Sequence, residues 1–277
     1  MSDGEVMPAG RLGLAPPAPA RARFHAAAWL ALMALPWVAL LLAWVGVRVL
    51  SARYAGLVPS PLAVLQQGYA LMKDGTLPLN WAASSLRVLV SVTAGVVLAV
   101  PAGFALGWYA PVRRVLTPVV NFFRALPPIA LIPLMILYFG IGELAKGLVL
   151  GYAAFFTAVV VLYEGISRIP PIYVQVARTL GATDRELFTG VVLPLALPHV
   201  LTAARVALGV GWMTLVASEL VSAQQGLGAM IQIAASYFQI ETIYLGLIAI
   251  GLTAMAMDFA LVRLSARLVR WQDRIRP

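Results

Sequence analysis

The sequence predicts an all-α integral membrane protein, a helical bundle of six spans. Three observations predict it. Of the 277 residues, 61% are hydrophobic and 11% charged, with mean hydropathy +0.89; a soluble domain carries about a quarter charged residues. Apolar stretches approaching or exceeding the roughly 20 residues a helix needs to cross a bilayer recur along the chain. The cationic residues gather asymmetrically around them.

Residues 1–24 are rich in Ala, Pro, Gly and Arg without apolar periodicity and read as a disordered cytoplasmic tail. The apolar stretch that follows outlasts a signal-peptide core of about 7–15 residues and ends at no clear small-x-small site. It reads as an uncleaved first span, about 26–48. Residues 61–72 open on Pro61 and space apolar residues helically, which fits a helix on the outer surface or one packed against the bundle. The second span covers about 84–109. The third, about 125–142, contains Pro127, Pro128 and Pro133, a hinge or a fixed kink where neighbours satisfy freed carbonyls. Residues 143–146 read as a tight connection to the fourth span, about 145–166. The fifth, about 199–223, holds Arg205 and Glu219; the sixth, about 241–264, holds Asp258. Residues 266–277 form a basic cytoplasmic tail.

With the N-terminus inside, Arg48, Arg53, Lys73, Arg87 and Lys146 fall on the outer side, and the other fifteen of the twenty Lys and Arg on the inner side. That bias predicts cytoplasmic N- and C-termini and a cytoplasmic 168–198 loop. The net charge of +9 is therefore read as topology rather than as nucleic-acid binding. The chain has no cysteine, and its two histidines, His25 and His199, lie far apart. No thiolate or HExxH metal site and no cysteine nucleophile follow. No paired catalytic groups support an intramembrane enzyme. A stand-alone secondary transporter would call for an inverted repeat or a midplane carboxylate cluster, and neither is evident. Lys73 and Lys146 are the only lysines, and neither lies in GxxxxGK[ST], so this chain holds no P-loop.

The 168–198 loop follows strict helix grammar. Pro170 and Pro171 suit a first helical turn, residues 173–180 a short helix, and Gly181 a left-handed C-cap. Thr183 and Glu186 form a capping box. A second short helix runs to about Val192, with Pro194 ending it and Pro198 opening the next span. Val174, Ala177 and Leu180 share one face; Gln175, Arg178 and Thr179 lie toward another. Such a knob suits a protein partner or caps the bundle from below, and the grammar leaves both open.

Among ionisable groups in the spans, Glu219 follows Arg205 by close to four turns, so both project from a similar face. With Ser218 and Ser222 nearby, Glu219 could line an outer gate, or pair with Arg87. Asp258 is expected to pair with an arginine. Ser84, Ser85, Ser91, Thr93, Thr157 and Thr214 could line a polar path, or bond back to their own helices.

The loop resembles the EAA signature of ABC importer permeases. Gln175, Val176 and Ala177 stand for Glu-Ala-Ala, Gly181 matches, and residues 191–194 close the motif with Leu193 and Pro194. Gln175 and Val176 are departures from it. Residues 124–134 and 138–142, then 216–220 and 226–228, look like the nitrate/sulfonate/taurine group, and the likeness covers roughly 80–265. It implies a MetI-like, type I importer fold in the bacterial inner membrane. Implied partners are a second permease subunit (a homodimer), cytoplasmic ATPase subunits that hold the ATP and magnesium, and a periplasmic or lipid-anchored binding protein. This chain itself would hold no cofactor or metal. By the resemblance, Val174, Gln175, Ala177, Arg178, Thr179, Leu180, Gly181, Ala182, Thr183 and Asp184 couple to the ATPase, and Glu186, Leu193 and Pro194 shape the loop. Glu219, Ser218, Pro128 and Pro133 are gate or pathway candidates. The expected substrate is a small anion such as a sulfonate, taurine or nitrate; an aromatic acid or vitamin precursor is the alternative.

Overall fold

A computed structural model describes residues 20–50, 57–222 and 224–269, and every regular element among them is helical. Most of both expected tails lies outside the described residues. The chain divides into two units, 1–60 and 61–277. The first holds α1 (Ala20–Leu50), which starts inside the stretch expected as tail; there the Trp44 indole donates to the Pro59 carbonyl at 3.2 Å.

The second unit is organised by small residues. In α3 (Thr76–Trp108), buried positions 84, 88, 92, 95, 99 and 103 recur at helical spacing. They face α6 (Glu143–Ser167). A Cβ on Gly95 would meet the Gly151 carbonyl at 2.6 Å, one on Gly103 the Leu162 side chain, and one on Gly107 that of Ile166. Both numbers of each pair rise together, so α3 and α6 run parallel with backbones nearly touching. Small residues permit this close approach in a membrane, where dispersion replaces the hydrophobic effect as the driving force.

Parallel neighbours need a return segment, and residues 110–139 supply it. They form α4 (Ala110–Ala125) and α5 (Pro128–Phe139), which meet at 87°. The third span was expected to begin at 125, with a loop before it. Instead the chain turns back at Ala110, and α4 carries Arg113 on a half-buried position and Arg114 and Arg124 on exposed ones. Charge-free length missed it because those arginines need only one solvent- or headgroup-facing side. Arg113 donates to the Ser167 hydroxyl at 2.6 Å, and the Tyr152 hydroxyl donates to the Phe123 carbonyl at 2.5 Å. Arg124 thus stands level with the middle of α6, away from Arg113. The break falls at Leu126 and Pro127; Pro133 sits inside α5 without interrupting it. Residues 143–146 are the first turn of α6, and the chain reverses at Gly140–Gly142 instead, Gly140 having φ +75°.

After α6 come α7 (Pro171–Thr179) and α8 (Asp184–Leu187), then α9 (Leu193–Ser222), antiparallel to α3. A helix buried along its first half, α10 (Leu227–Ser236), leads to α11 (Ile240–Leu268). Helix α2 (Pro61–Lys73) packs on α11, with Val64 buried and Gln67 donating to Thr242 at 3.1 Å. Among the described residues, α3, α6, the run 184–221 and α11 are long and apolar enough to cross a membrane, and the bent α4–α5 pair is a fifth when its two helices are counted as one span. The remaining expected span, about 26–48, falls on α1 (Ala20–Leu50).

Candidate functional site

The loop after α6 is stapled at each turn. Helix α7 starts on Pro170 and Pro171 and ends in a Schellman motif: Ala182 N–H donates to Ala177 O and Gly181 N–H to Arg178 O, both at 3.0 Å, with Gly181 at φ +85°. The capping box at Thr183 is complete, Glu186 N–H donating to the threonine hydroxyl at 3.3 Å and Thr183 N–H to the Glu186 carboxylate at 2.9 Å. Leu187 and Val192 are buried, and Phe188 meets Phe104 of α3 edge-on at 5.5 Å. The knob is therefore rooted in the bundle.

Its outer part is uncovered. No residue of α7 is fully buried, Val174 and Ala177 are half-covered, and Leu180 is 82% exposed. Gln175, Arg178 and Thr179 are exposed; the Thr179 hydroxyl donates to Gln175 O at 2.9 Å, and Arg178 lies 3.8 Å from Asp184. Pro194 does not end the second helix, as the sequence predicted. Residues 188–192 form a π turn that runs unbroken into α9, with Leu193 and Pro194 in its first turn and Pro198 inside it. The wider turn gives the proline ring room against the turn before it.

At the opposite end of α3 and α9 lies a buried polar cluster. The Glu219 side chain is fully covered and accepts from the Ser84 hydroxyl at 2.8 and 2.9 Å, from Gly228 N–H at 2.8 Å, and from the Arg87 guanidinium. Ser84 accepts from Leu227 N–H and Asn80 from Gly226 N–H, each at 2.8 Å. The segment before α10 is thus bonded down onto α3. Gly226 sits at φ +137°, and a Cβ there or on Gly228 would run into Glu219, so these glycines let the backbone lie directly on the carboxylate.

Arg87 spans two carboxylates. Beyond Glu219 it grips Glu143 in a two-pronged pair, Nε–Oε2 at 2.6 Å and Nη2–Oε1 at 2.8 Å; Lys146 donates to the same Glu143 at 3.1 Å. The arginine and lysine side chains are each 6% exposed, Glu143 69%. Arg87 and Glu143 edge a cavity of about 1180 Å³ between α3, α5 and α6, lined also by Ser91 and Gln225 and otherwise mostly by apolar groups.

The sequence-chosen gate residues do not line this cavity. Glu219 is sealed within the ion pair foreseen as its alternative role; Ser218 is buried with its hydroxyl on Leu215 O at 2.8 Å, and Pro128 and Pro133 shape α5. Glu219 and Arg205 do not share surroundings either, because Arg205 is half-exposed and holds Asp258 at 2.5 and 2.8 Å, the partner expected for that aspartate. Ser84 bonds across helices rather than to its own carbonyls. Asn80 and Glu143 were missed, and Arg87 was seen only as a partner for Glu219. A signal existed: Asn80, Ser84, Arg87 and Ser91 repeat every three or four residues along one face of an apolar span. Among the described residues no three His, Asp or Glu gather as metal ligands.

Residues 91–274 match the family described as binding-protein-dependent transport system inner membrane component. The chain belongs to this family. A probable ABC transporter permease protein of Brucella abortus is 40% identical over 229 residues, covering 83% of this chain and 92% of that one. The taurine transport system permease protein of Escherichia coli is 34% identical over 241 residues, 85% and 88% of the two chains. A chain of the MetNI methionine ABC transporter, solved in inward-facing conformations, superposes with TM-score 0.59 at 24% identity, over 68% of this permease and 94% of that chain. The fold is that of the MetI-like type I importer permeases, and the protein is the membrane-embedded permease component of such a system.

Proposed function

We propose that this permease carries a small oxyanion of the sulfonate or nitrate class inward across a bacterial inner membrane. It works as a pair of identical subunits, takes its cargo from an external binding protein, and is driven by ATPase subunits seated on residues 174–184. The E. coli relative is named for taurine, a sulfonate, which supports the cargo class. The positive-inside bias of the sequence supports cytoplasmic termini and a cytoplasmic knob.

One observation carries the coupling role: Leu180 is 82% exposed on a frame whose every turn is stapled, and whose root, Leu187 and Val192, is buried in the bundle. An apolar tip on a stiff base transmits force to the start of α9; a slack loop would absorb it. Leu180→Asp changes an exposed side chain and leaves the frame intact, whereas Gly181→Pro breaks the left-handed cap. With the tagged chain co-expressed with its ATPase, wild type is expected to co-purify the ATPase, L180D to lose most of it while staying folded, and G181P to lose all of it. Full ATPase recovery with both variants would sink the coupling role.

A further inference from the structure

Glu143 differs from every other member of the buried cluster. Glu219 is enclosed by the Ser84 hydroxyl, a backbone N–H and Arg87; Arg87 and Lys146 are nearly covered. Glu143 alone faces out, 69% exposed, and it fills the fork formed by Nε and Nη2 of Arg87 while also taking a bond from Lys146. Without Glu143, Arg87 on the cavity wall and the buried Lys146 would have only Glu219 to balance them. Such a site is unstable empty, since a buried charge without a partner is costly. It is well matched to another anion, because a guanidinium fork fits two oxygens of one carboxylate, sulfonate or nitrate. The cavity of about 1180 Å³ beside it, walled by Val90, Ala94, Leu98 and Phe139, has room for an organic tail.

We propose that Arg87 and Lys146 form an oxyanion subsite of the permease itself, and that Glu143 occupies it as a tethered stand-in which a passing sulfonate displaces. Exchange is the physical point. The two cations never stand uncompensated, so the slot opens only when an anion arrives, and a neutral or cationic solute gains nothing by entering. This inference rests on the oxyanion cargo proposed above and gives it a place in the pathway.

The test uses the full chain purified in detergent, with methanesulfonate as probe and dimethyl sulfone as its uncharged near-isostere. Glu143→Gln empties the slot of its tethered charge. Thermal stabilisation of E143Q by methanesulfonate is expected at concentrations at least tenfold lower than for wild type, with no response to the sulfone. Glu143→Asp keeps the charge on a shorter arm and should respond between the two, which holds the test open should E143Q fold poorly. Equal responses of all three proteins, or an equal response to the sulfone, would overturn the subsite. ATPase co-purification from the same preparations separates the two readings. Retained ATPase with no E143Q effect removes the subsite alone; lost ATPase with the E143Q effect intact removes the importer coupling and keeps the subsite.

Discussion

Arg87 shows how far one side chain can organise a membrane bundle. It touches α6 through Glu143, α9 through Glu219 and the segment before α10 through Gln225 O at 3.4 Å. Removing one partner of such a pair leaves the other buried and uncompensated, at a cost of about 3–5 kcal/mol. Arg87→Ala is expected to destabilise the chain by that amount, read as loss of monodisperse protein after graded heating in detergent. Glu219→Gln keeps the shape and leaves Arg87 its Glu143 partner, so its loss should be clearly smaller. Matching heat profiles for wild type and R87A would show that the cluster does not hold α3 to α9. The arginine was legible in the sequence, since Asn80, Ser84 and Ser91 share its helix face. Glu143 was not, because between two apolar runs it reads as part of a turn, and nothing local announces a partner 56 positions back.

The α3–α6 contact makes its own demand on sequence. A Cβ at Gly95 would stand 2.6 Å from the Gly151 carbonyl and 2.9 Å from the Ala154 side chain, while one at Gly151 would find its nearest neighbour, Ser91 O, at an ordinary 3.6 Å. Two glycines at one crossing therefore have different tolerances. Gly95→Ala should cost about 1–3 kcal/mol through overpacking, and Gly151→Ala should be close to neutral, both measured by thermal midpoint in detergent. The opposite ranking would mean that the helices are not in this register. The long apolar helices were legible because length and hydropathy suffice to mark them. The bent α4–α5 pair was not: Arg113, Arg114 and Arg124 divide it where a charge-free window must stop, and only the parallel course of α3 and α6 reveals that a return span is needed. Pro194 misled for a related reason, since a π turn admits a proline that an α turn would reject.

For the whole molecule, the orientation proposed from the charge bias is open to direct labelling. The chain has no cysteine, so a single introduced one is a clean reporter. Lys73→Cys, exposed at the end of α2, should react with a membrane-impermeant maleimide on intact cells, and Leu180→Cys only after permeabilisation; the reverse pattern would invert the topology. Composition made the membrane class legible, and the loop motif made the family legible. The cavity was not, because its walls come from α3, α5 and α6, which no local pattern brings together. The Arg87–Glu219 pair also sets a timetable for biogenesis. The arginine leaves the ribosome 132 residues before its carboxylate partner, an interval on the order of ten seconds at about 5–20 residues per second. Until Glu143 follows 56 positions on, α3 holds this cation without either of its anions, and its long side chain can keep the charge in the headgroup layer, where it reaches water. Glu143 then offers the first pairing, and the arrival of Glu219 with α9 completes the enclosure of Arg87 and locks the nascent chain in place.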